Sequence, residues 1–501
     1  MRICLLTGGG YPFRRDALGG WCRTIVEGLP EVTFDLLTVV DREPAGGPAY
    51  PLPRNVRTAR AVAPQTPERR RAGAADDGAT AAAVLLCRGL LGEQENADQM
   101  FADGLRRLAV MIDELPADNG SPLAGVALAD VLLDAWRTGQ RMTANDRLPL
   151  PRLSVRDART AATLLRHAVR TLAVQPPIAD LVHCVGGTTP LLAALSGRWR
   201  TGTPLLLTEA RAPVARARPA EERLSPAVRT VLRRFRRSVA RTGYAEAELI
   251  APLSAYHHGW ALKHGARPSR LVSVPAGVNP DGFGAAYETA AADHALVWAG
   301  SGGPDSGLNH LLEAFGGVVA QVPGTVLHLV GVTAAHEDHA AEAIERSGLG
   351  RAVRLHPLPA DPSDRYAAGQ IAVHLPGPAD PPYRLIEAMM SGRAVVGVDL
   401  GPAAETLGDT GVLVRPGDPA DLARSVIELL RAPARRRSLG EAARRRALTH
   451  FTTDRVVRAY RALYTDLSAP PPAPAFELAL SVPAPRAEPP TTLRWLVRED
   501  S

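Results

Sequence analysis

Glu387 stands in a stretch, "PADPPYRLIEAMMSGRAVVGVD" (378–399), whose residue types suit the binding of a hydroxyl pair. Pro381 and Pro382 predict a helix start, because a missing N–H costs least there. Gly392 predicts the helix end, at the position favoured for a left-handed residue. A carboxylate on the first turns of such a helix, beside a cleft, is able to accept two hydrogen bonds from a ribose diol. The alternative is a glutamate in solvent, the commonest fate of this residue type.

The stretch "GSGGPDSGLNHLLEAF" (300–315) predicts a strand end, a glycine-rich turn and a helix. This arrangement is typical of a phosphate-binding loop. The turn contains no lysine or arginine, although a pyrophosphate is usually met by a cation. An anion held here would therefore depend on backbone N–H groups and on the hydroxyls of Ser301 and Ser306.

A second glycine-containing helix start lies near the N-terminus, in "DALGGWCRTIVEGL" (16–29). Gly19 and Gly20 are predicted just before the helix, where glycine permits a tight turn and close backbone approach. The first N–H groups of that helix are free to bind an anion. The alternative is a plain helix-start turn.

Apolar strands alternate with helix-period segments along most of the chain, which predicts parallel, doubly wound sheets. Two such αβ series, joined by a short linker, predict an α/β protein with two Rossmann-like domains facing a cleft. Ligands of such sheets bind beyond the carboxyl ends of the strands. We predict a first domain at 1–280 with a helical insertion at about 80–173, and residues 44–80 as a loose excursion. A second domain at 281–453, a helix crossing back at 454–467 and a Pro-rich, mostly disordered tail at 468–501 complete the prediction.

Composition narrows the class of protein. The 501 residues are 46% hydrophobic and 22% charged, with no apolar run long enough to span a bilayer. The four scattered cysteines favour neither disulfides nor zinc, and they indicate a reducing cytoplasm. The net charge of +6 is carried almost wholly by arginine, since Lys263 is the only lysine. This excess does not establish nucleic-acid binding, and no nucleic-acid partner is predicted.

Two arginine-rich stretches leave open whether a membrane surface is a partner. The segments "RTVLRRFRRSVAR" (229–241) and "RAPARRRSLGEAARRRALTHF" (431–451) are rich in arginine. Either would suit peripheral docking on anionic lipid at the inner face of the membrane, and either would suit a solvated basic helix. No histidine spacing indicates a metal site.

The motifs together resemble the glycosyltransferase-B fold, and within it family 4 of retaining nucleotide-sugar glycosyltransferases. Residues 385–396 are similar to that family's "lEAMa-G-PVV" segment. "VSVPAGVNPDGF", "AGSGGPDSGLNHLLEAF" and "PAAETLGDTGVLVRPGD" resemble its interdomain, glycine-loop and late segments. "GGGYPFRRDALGGW" and "LLLTEARAPVARA" are similar to the branch of the cytosolic transferase of Pel exopolysaccharide synthesis. The resemblance covers roughly residues 1–467.

The resemblance implies roles for particular residues. In the family an arginine and a lysine of the glycine-rich loop contact the donor diphosphate, and Ser301 and Ser306 stand at those positions. A family glutamate near the transferred sugar falls at Ala379, and Asp380 is the nearest carboxylate. The resemblance therefore assigns Glu387 to the ribose and Asp380 to the sugar.

Further positions are implied for the donor phosphates. Gly19 and Gly20 are assigned to the phosphates, and Arg384 to the diphosphate as a substitute cation. Arg14, Arg15 and Arg211 are the other candidates for that charge, and a surface role is the alternative for each arginine.

The implied function is transfer of a sugar from a nucleotide-diphosphate donor, such as a UDP-sugar, to a hydroxyl acceptor on a carbohydrate, lipid or small molecule. Neither a metal nor a cofactor is implied. Two other interpretations stay open. One is a catalytically degenerate relative that binds or regulates an active bacterial glycosyltransferase, which the changed site residues favour. The other is a nucleotide-sugar 2-epimerase on the same fold, for which no distinctive motif is present.

Overall fold

The structure, a computed structural model, describes most of the chain up to Ser468. The described residues are 1–15, 17–44, 46–64, 77–92, 96–114, 123, 125–142, 150–210, 221, 223–284, 294–304, 306–359, 362–377 and 381–468. The predicted Pro-rich tail after Ser468 lies outside them, as do Asp380 and Arg211.

The first unit is built on a six-stranded parallel sheet with the order β3-β2-β1-β4-β5-β6. Its inner strands are buried on both faces, which explains why they read as continuous apolar runs. The strand "LLLTE" shows this, because all five of its residues are buried. The strands are β1 (Arg2–Gly8), β2 (Thr33–Val39), β3 (Val56–Val62), β4 (Leu181–Val185), β5 (Leu205–Glu209) and β6 (Leu249–Pro252).

Edge strand β3 corrects the sequence prediction of a loose excursion over 44–80. It pairs in parallel with β2 and is mostly half-buried. Its sequence, "VRTARAV", mixes arginine with small apolar residues. Such a mixture lacks the apolar run of a central strand but is tolerated at an edge that faces solvent.

Helices surround this sheet, and four of them, α2 to α5, form the helical layer inserted between β3 and β4. Helices α2 and α3 approach so closely that Cβ atoms have no room at two glycines. A Cβ on Gly89 would lie 2.5 Å from the Ala97 carbonyl oxygen, and one on Gly104 would lie 2.7 Å from the Leu86 nitrogen. The helices are α1 (Ala17–Gly28), α2 (Asp77–Leu91), α3 (Ala97–Glu114), α4 (Leu128–Met142), α5 (Val155–Val169), α6 (Thr188–Thr201), α7 (Pro226–Glu246) and α8 (Ala255–Lys263).

The second unit repeats the topology with strand order β12-β11-β10-β7-β8-β9. The first strand of this unit, β7, lies beside its fourth, β10, so the winding reverses direction between them. The strands are β7 (Ala295–Ala299), β8 (Val326–Val330), β9 (Val353–His356), β10 (Ile371–His374), β11 (Ala394–Val398) and β12 (Val412–Val414). The helices are α9 (Leu308–Gln321), α10 (Glu337–Ser347), α11 (Tyr383–Met390), α12 (Ala403–Leu407), α13 (Pro419–Arg431), α14 (Pro433–His450) and α15 (Thr453–Ser468).

The two units share one apolar core. It groups Tyr11 and Trp21 of the first unit with Tyr383 and Leu385 of the second and Tyr460 of α15. The chain crosses between units where Val278 N donates to the Phe451 carbonyl (2.9 Å) and Thr453 N donates to the Val278 carbonyl (3.2 Å). A Glu405 carboxylate oxygen also accepts from Ala255 N at 2.7 Å, which joins α12 to the start of α8. The predicted fold class, two Rossmann-like α/β units with helices inserted in the first, is confirmed.

Three arginines of α14 donate to carbonyls of other helices. Arg436, only 4% exposed, donates to the Leu429 and Leu430 carbonyls at the end of α13. Arg444 donates to the Met390 carbonyl of α11, and Arg446 donates to two carbonyls of α12, at Glu405 and Thr406. A cation at a helix C-terminus satisfies carbonyls that have no intrahelical partner. These arginines are therefore structural caps.

In the basic helix α7, three arginines are likewise engaged. Arg234 donates to the Leu91 carbonyl, Arg236 pairs with Glu221, and Arg241 pairs with Asp98 at 2.8 Å. Within the described residues, no helix is long and apolar enough to cross a membrane.

Candidate functional site

Helix α11 carries Glu387 on the side that is not packed into the core. Leu385, Ile386 and Met389 are each 0% exposed, whereas the Glu387 side chain keeps 14% of its area. The helix follows an N-cap at Pro382 and ends before Gly392, whose φ is +72°. The prolines and the glycine thus set the helix as the sequence predicts, and packing of its apolar face fixes where the glutamate points.

Arg365 is the partner of Glu387. Arg365 Nη1 donates to Glu387 Oε1 at 2.7 Å, and the arginine side chain is 20% exposed. The arginine lies in a 3-10 turn at Pro362–Tyr366, between β9 and β10. The sequence analysis did not identify this residue.

The second carboxylate oxygen of Glu387 is left over. Oε2 is buried and has no hydrogen-bond partner among the described residues, because the nearby Tyr366 hydroxyl donates to the Arg384 carbonyl instead. A buried acceptor without a partner costs about 1–3 kcal/mol, so such atoms in folded proteins need an explanation. A ligand hydroxyl at this oxygen supplies one.

The turn that holds Arg365 is itself fixed. The Tyr366 hydroxyl donates to the Arg384 carbonyl at 2.8 Å, joining the turn to the start of α11. Burial, and then the charge of Glu387, raise the pKa of Tyr366, so its proton stays in place. Buried Arg393 donates to the Tyr366 and Ala367 carbonyls, each at 3.1 Å. The Glu387–Arg365 pair therefore stands on a rigid support.

Arg384 lies one turn before Glu387 on the same helix, and its charge acts to lower the pKa of both His374 and Tyr366, although burial outweighs it at Tyr366. Burial, and then the Arg384 guanidinium, lower the pKa of His374 to about 4. His374 ends strand β10. This histidine is therefore neutral at pH 7, and Arg384 brings positive charge to the carboxyl end of β10.

The glycine-rich loop after β7 packs tightly against the loop after β8. Ser306 donates its hydroxyl and its backbone N–H to the Gly303 carbonyl, at 2.5 Å and 2.9 Å. The Ser301 carbonyl accepts from Thr333 N at 3.1 Å. A Cβ on Gly303 would lie 3.0 Å from the His336 ring. The Ser306 hydroxyl proton is thus donated within the turn, and the role of Ser306 towards a phosphate stays a prediction.

Backbone N–H groups are what this loop offers. Those of Ser301, Gly302 and Gly303 donate to no group in the described residues. The N-cap of α9 is Gly307 at φ +77°, with no side chain to satisfy the first turn. A Cβ on Gly307 would lie 3.2 Å from that of Leu375, which places the loop beside the chain leading to α11. Anion binding here would depend on amide dipoles.

Gly19 and Gly20 lie inside the first turn of α1, and not before it as the sequence analysis predicts. The helix begins at Ala17, so the two glycines are its third and fourth residues. A Cβ on Gly20 would meet nothing within 4 Å, so the surface there is open. Alanine and leucine form helix well enough to start it two residues before the glycines.

Aromatic residues cover the face between the two units. The indole N–H of Trp21 and the hydroxyls of Tyr11 and Tyr383 are buried, and none has a hydrogen-bond partner among the described residues. Trp21 packs edge-on against Tyr460 with ring centroids 5.2 Å apart. Burial raises the pKa of Tyr383, and Cys22 of α1 and Tyr460 of α15 raise it further. Tyr383 thus extends from α11 towards α1 and α15.

A second buried polar group, the His183 cluster, consists of His183, Thr208, Tyr460 and Tyr464. His183 Nδ1 lies 2.6 Å from the Tyr464 hydroxyl, and Nε2 lies 2.7 Å from Thr208 Oγ1. Thr208 Oγ1 lies 2.6 Å from the Tyr460 hydroxyl. Burial lowers the pKa of His183 to about 3, so the ring is neutral. The cluster joins α15 to the first sheet and satisfies its own groups.

A cavity of about 220 Å³ opens at the carboxyl ends of β10 to β12, on the face covered by α9 and α13. Neither Glu387 nor Arg365 lines it, and its polar side chains are few. The chemistry of the Glu387 pair identifies the candidate site better than the size of this cavity. Asp380, which is predicted to face the transferred sugar, lies outside the described residues.

Residues 1–269, more than half of the chain, match the family described as "Domain of unknown function (DUF3492)". The chain belongs to this family. Residues 293–432, which contain the glycine-rich loop and the Glu387 pair, match "Glycosyl transferases group 1". A D-inositol 3-phosphate glycosyltransferase of Geodermatophilus obscurus is 31% identical over 249 residues, 45% of this chain and 55% of that one. The chain spans about half of that relative's length, and 22% and 21% of two other curated relatives.

Solved structures place the fold. HepE of Anabaena in complex with UDP superposes with a TM-score of 0.57 at 14% identity, over 93% of this chain and 100% of that one. Sucrose-phosphate synthase of Thermosynechococcus elongatus gives a TM-score of 0.58 at 17% identity, over 93% and 98%. At such identities the likeness concerns the fold alone, which is glycosyltransferase-B. The resemblance to the Pel branch stays a prediction.

Proposed function

We propose that the protein transfers a sugar from a nucleoside-diphosphate sugar to a hydroxyl acceptor. The observation that carries this proposal is the buried, unpartnered Oε2 of Glu387 on the first turns of α11. A ribose hydroxyl donating to that oxygen would satisfy it. The match to group 1 glycosyl transferases over 293–432 and the UDP bound by HepE support this assignment.

The diphosphate would lie where the glycine-rich loop after β7, the loop after β8 and the start of α11 meet. The free amides of Ser301, Gly302 and Gly303, and the open start of α9, would accept its oxygens. Arg384 would add a positive charge from α11. No step requires a metal, because amide dipoles and guanidinium groups would stabilise the charge on the leaving diphosphate. Asp380 remains the proposed sugar-facing carboxylate.

The acceptor side is proposed less narrowly. A carbohydrate, lipid or small-molecule hydroxyl would approach from the side of the first unit, beside α1, where the surface at Gly20 is open. An exopolysaccharide acceptor follows from the resemblance to the Pel branch. The four free, buried cysteines are consistent with a cytoplasmic location, and docking at the inner membrane face is part of the proposal.

A second function is favoured by one observation, the absence of any cation in the described part of the glycine-rich loop. A protein that keeps the fold but has lost the charges that stabilise the leaving diphosphate would bind a sugar nucleotide without turning it over. It would then act as a binding or regulatory partner of an active transferase.

Titration of the purified protein with UDP, GDP, ADP and their glucose conjugates tests the proposal, together with an assay for slow donor hydrolysis. Binding with hydrolysis supports the transferase. Binding without hydrolysis, even with a panel of sugar acceptors, favours the binding partner. No binding at millimolar nucleotide would remove both functions.

A further inference from the structure

Glu387 and the proposed diphosphate are both negatively charged, so the site needs a positively charged residue near Glu387. A carboxylate that receives ribose lies close enough to the diphosphate of the same nucleotide for the two negative charges to repel each other. The described part of the glycine-rich loop brings no cation, and Ser306 spends its hydroxyl proton on Gly303. Arg384 is proposed above as a cation for the diphosphate itself, and no contact joins it to Glu387 among the described residues. The charge of Glu387 must therefore be cancelled locally.

We propose that Arg365 is the positioning residue that makes Glu387 compatible with a diphosphate. Its guanidinium cancels the carboxylate charge and holds one oxygen, so the other oxygen stays free for the ribose. This inference rests on the proposed function and adds to it a residue outside the predicted set.

The geometry of the pair fits this role. A single contact, Nη1 to Oε1 at 2.7 Å, neutralises Glu387, while Oε2 accepts no hydrogen bond from the residues that the structure describes. A two-pronged pair would have used both oxygens. The side chains are 20% and 14% exposed, so water screens the pair only in part. Removal of Arg365 would leave a charge in a half-buried site.

The support of Arg365 indicates a built site. Its turn is held by Arg393 through two carbonyls and by the Tyr366 hydroxyl on α11. Arg365 Nε is buried with no partner among the described residues, as is Glu387 Oε2. Two unsatisfied polar atoms on one ion pair are more than a purely structural pair requires.

The test compares a charged ligand with an uncharged one. The quantity measured is the ratio of the nucleoside Kd to the nucleoside diphosphate Kd, for uridine with UDP, adenosine with ADP and guanosine with GDP. For the pair that binds wild type best, we expect Arg365→Gln to lower this ratio on the order of tenfold to thirtyfold, by uncompensated repulsion between Glu387 and the phosphates. Arg365→Lys, which keeps the charge, should stay within about threefold of wild type.

The double variant R365Q/E387Q decides the mechanism. With both charges gone, nucleoside and diphosphate should weaken together, and the ratio should return to within about threefold of wild type. Arg424→Gln, which removes an exposed arginine paired with Asp421 on α13, is the matched control and should leave the ratio unchanged. Urea unfolding of each variant confirms that the native state is populated.

The other outcomes overturn the inference. An unchanged ratio in R365Q shows that Arg365 does not govern the charge. A lowered ratio that the double variant does not restore assigns Arg365 to direct phosphate contact. If wild type binds a nucleoside diphosphate, these results refute the inference alone, whereas if no pair binds wild type, the proposed function fails and the inference fails with it.

Discussion

The His183 cluster and the Glu387–Arg365 pair are both buried polar groups beside a parallel sheet, yet their hydrogen bonds are completed differently. The His183 ring uses both nitrogens, and Thr208 extends the chain to Tyr460. In the described part of the chain, Oε2 of Glu387 and Nε of Arg365 have no hydrogen-bond partner. A network that satisfies itself stabilises the fold, whereas one that does not is able to receive a ligand.

The largest loss of stability is expected from a variant that disrupts the His183 cluster. His183→Leu leaves the Thr208 and Tyr464 hydroxyls buried without their ring partner. We expect the free energy of unfolding to fall by about 3–4 kcal/mol, because the Tyr464 hydroxyl loses its partner, Thr208 keeps only its bond to Tyr460, and ring packing is lost. Urea unfolding measures it, and nucleotide affinity should stay within about threefold in the folded fraction. A loss below about 1 kcal/mol would show that the cluster is not structural.

The pH dependence of stability sharpens the same contrast. His183 has a pKa of about 3 in the folded protein, whereas the unfolded chain titrates near the ordinary value of 6.5. The unfolded state therefore binds the extra proton, and stability falls as pH drops below about 6.5. Between pH 6.5 and 5 we expect His183 to account for a loss of about 1.5–2 kcal/mol. The difference in slope between wild type and His183→Leu isolates it, and equal slopes would contradict it.

A third prediction separates capping arginines from surface ones. Arg436→Met removes the guanidinium from the Leu429 and Leu430 carbonyls, and we expect a loss of about 1–2 kcal/mol. Arg435→Met is the control, because Arg435 is 57% exposed with Glu428 at 3.7 Å, and it should change stability by less than about 0.5 kcal/mol. Urea unfolding of both checks this. Equal losses of stability would contradict the capping role and indicate that α14 is a solvated basic helix.

The smallest effect compares two buried tyrosines. Tyr460→Phe removes a hydroxyl that is bonded to Thr208, and we expect a loss of about 1 kcal/mol. Tyr11→Phe removes a buried hydroxyl without a partner among the described residues, so stability should stay level or rise slightly. Thermal unfolding of the two variants gives the comparison. A larger loss at Tyr11 would mean that its hydroxyl is satisfied in solution.

Much of the fold was predictable because its signals are local. Strands such as "LLLTE" read as buried runs, and the prolines and Gly392 bracket α11. Strand β3 was missed because an edge strand with arginines lacks such a run. The start of α1 was placed too late because glycine was taken as the helix boundary.

The site was predictable only in part. Glu387 was identified from its own helix, although its role still awaits a test. Arg365 was not, because its contact with Glu387 spans 22 residues and depends on the path of the chain between β9 and β10. The capping roles of the α14 arginines were missed for the same reason, since the carbonyls they serve belong to other helices.

The central claim is that Glu387 Oε2, which has no partner among the described residues, receives the ribose. Removing the ribose hydroxyls on one side of that contact and the carboxylate on the other tests it most directly. The Kd values of UDP and 2′,3′-dideoxy-UDP, or of the base that wild type prefers, are measured for wild type and Glu387→Ala. Wild type should prefer the ribose form by about tenfold or more, and the variant should show almost no preference. The same preference in both proteins would contradict the account.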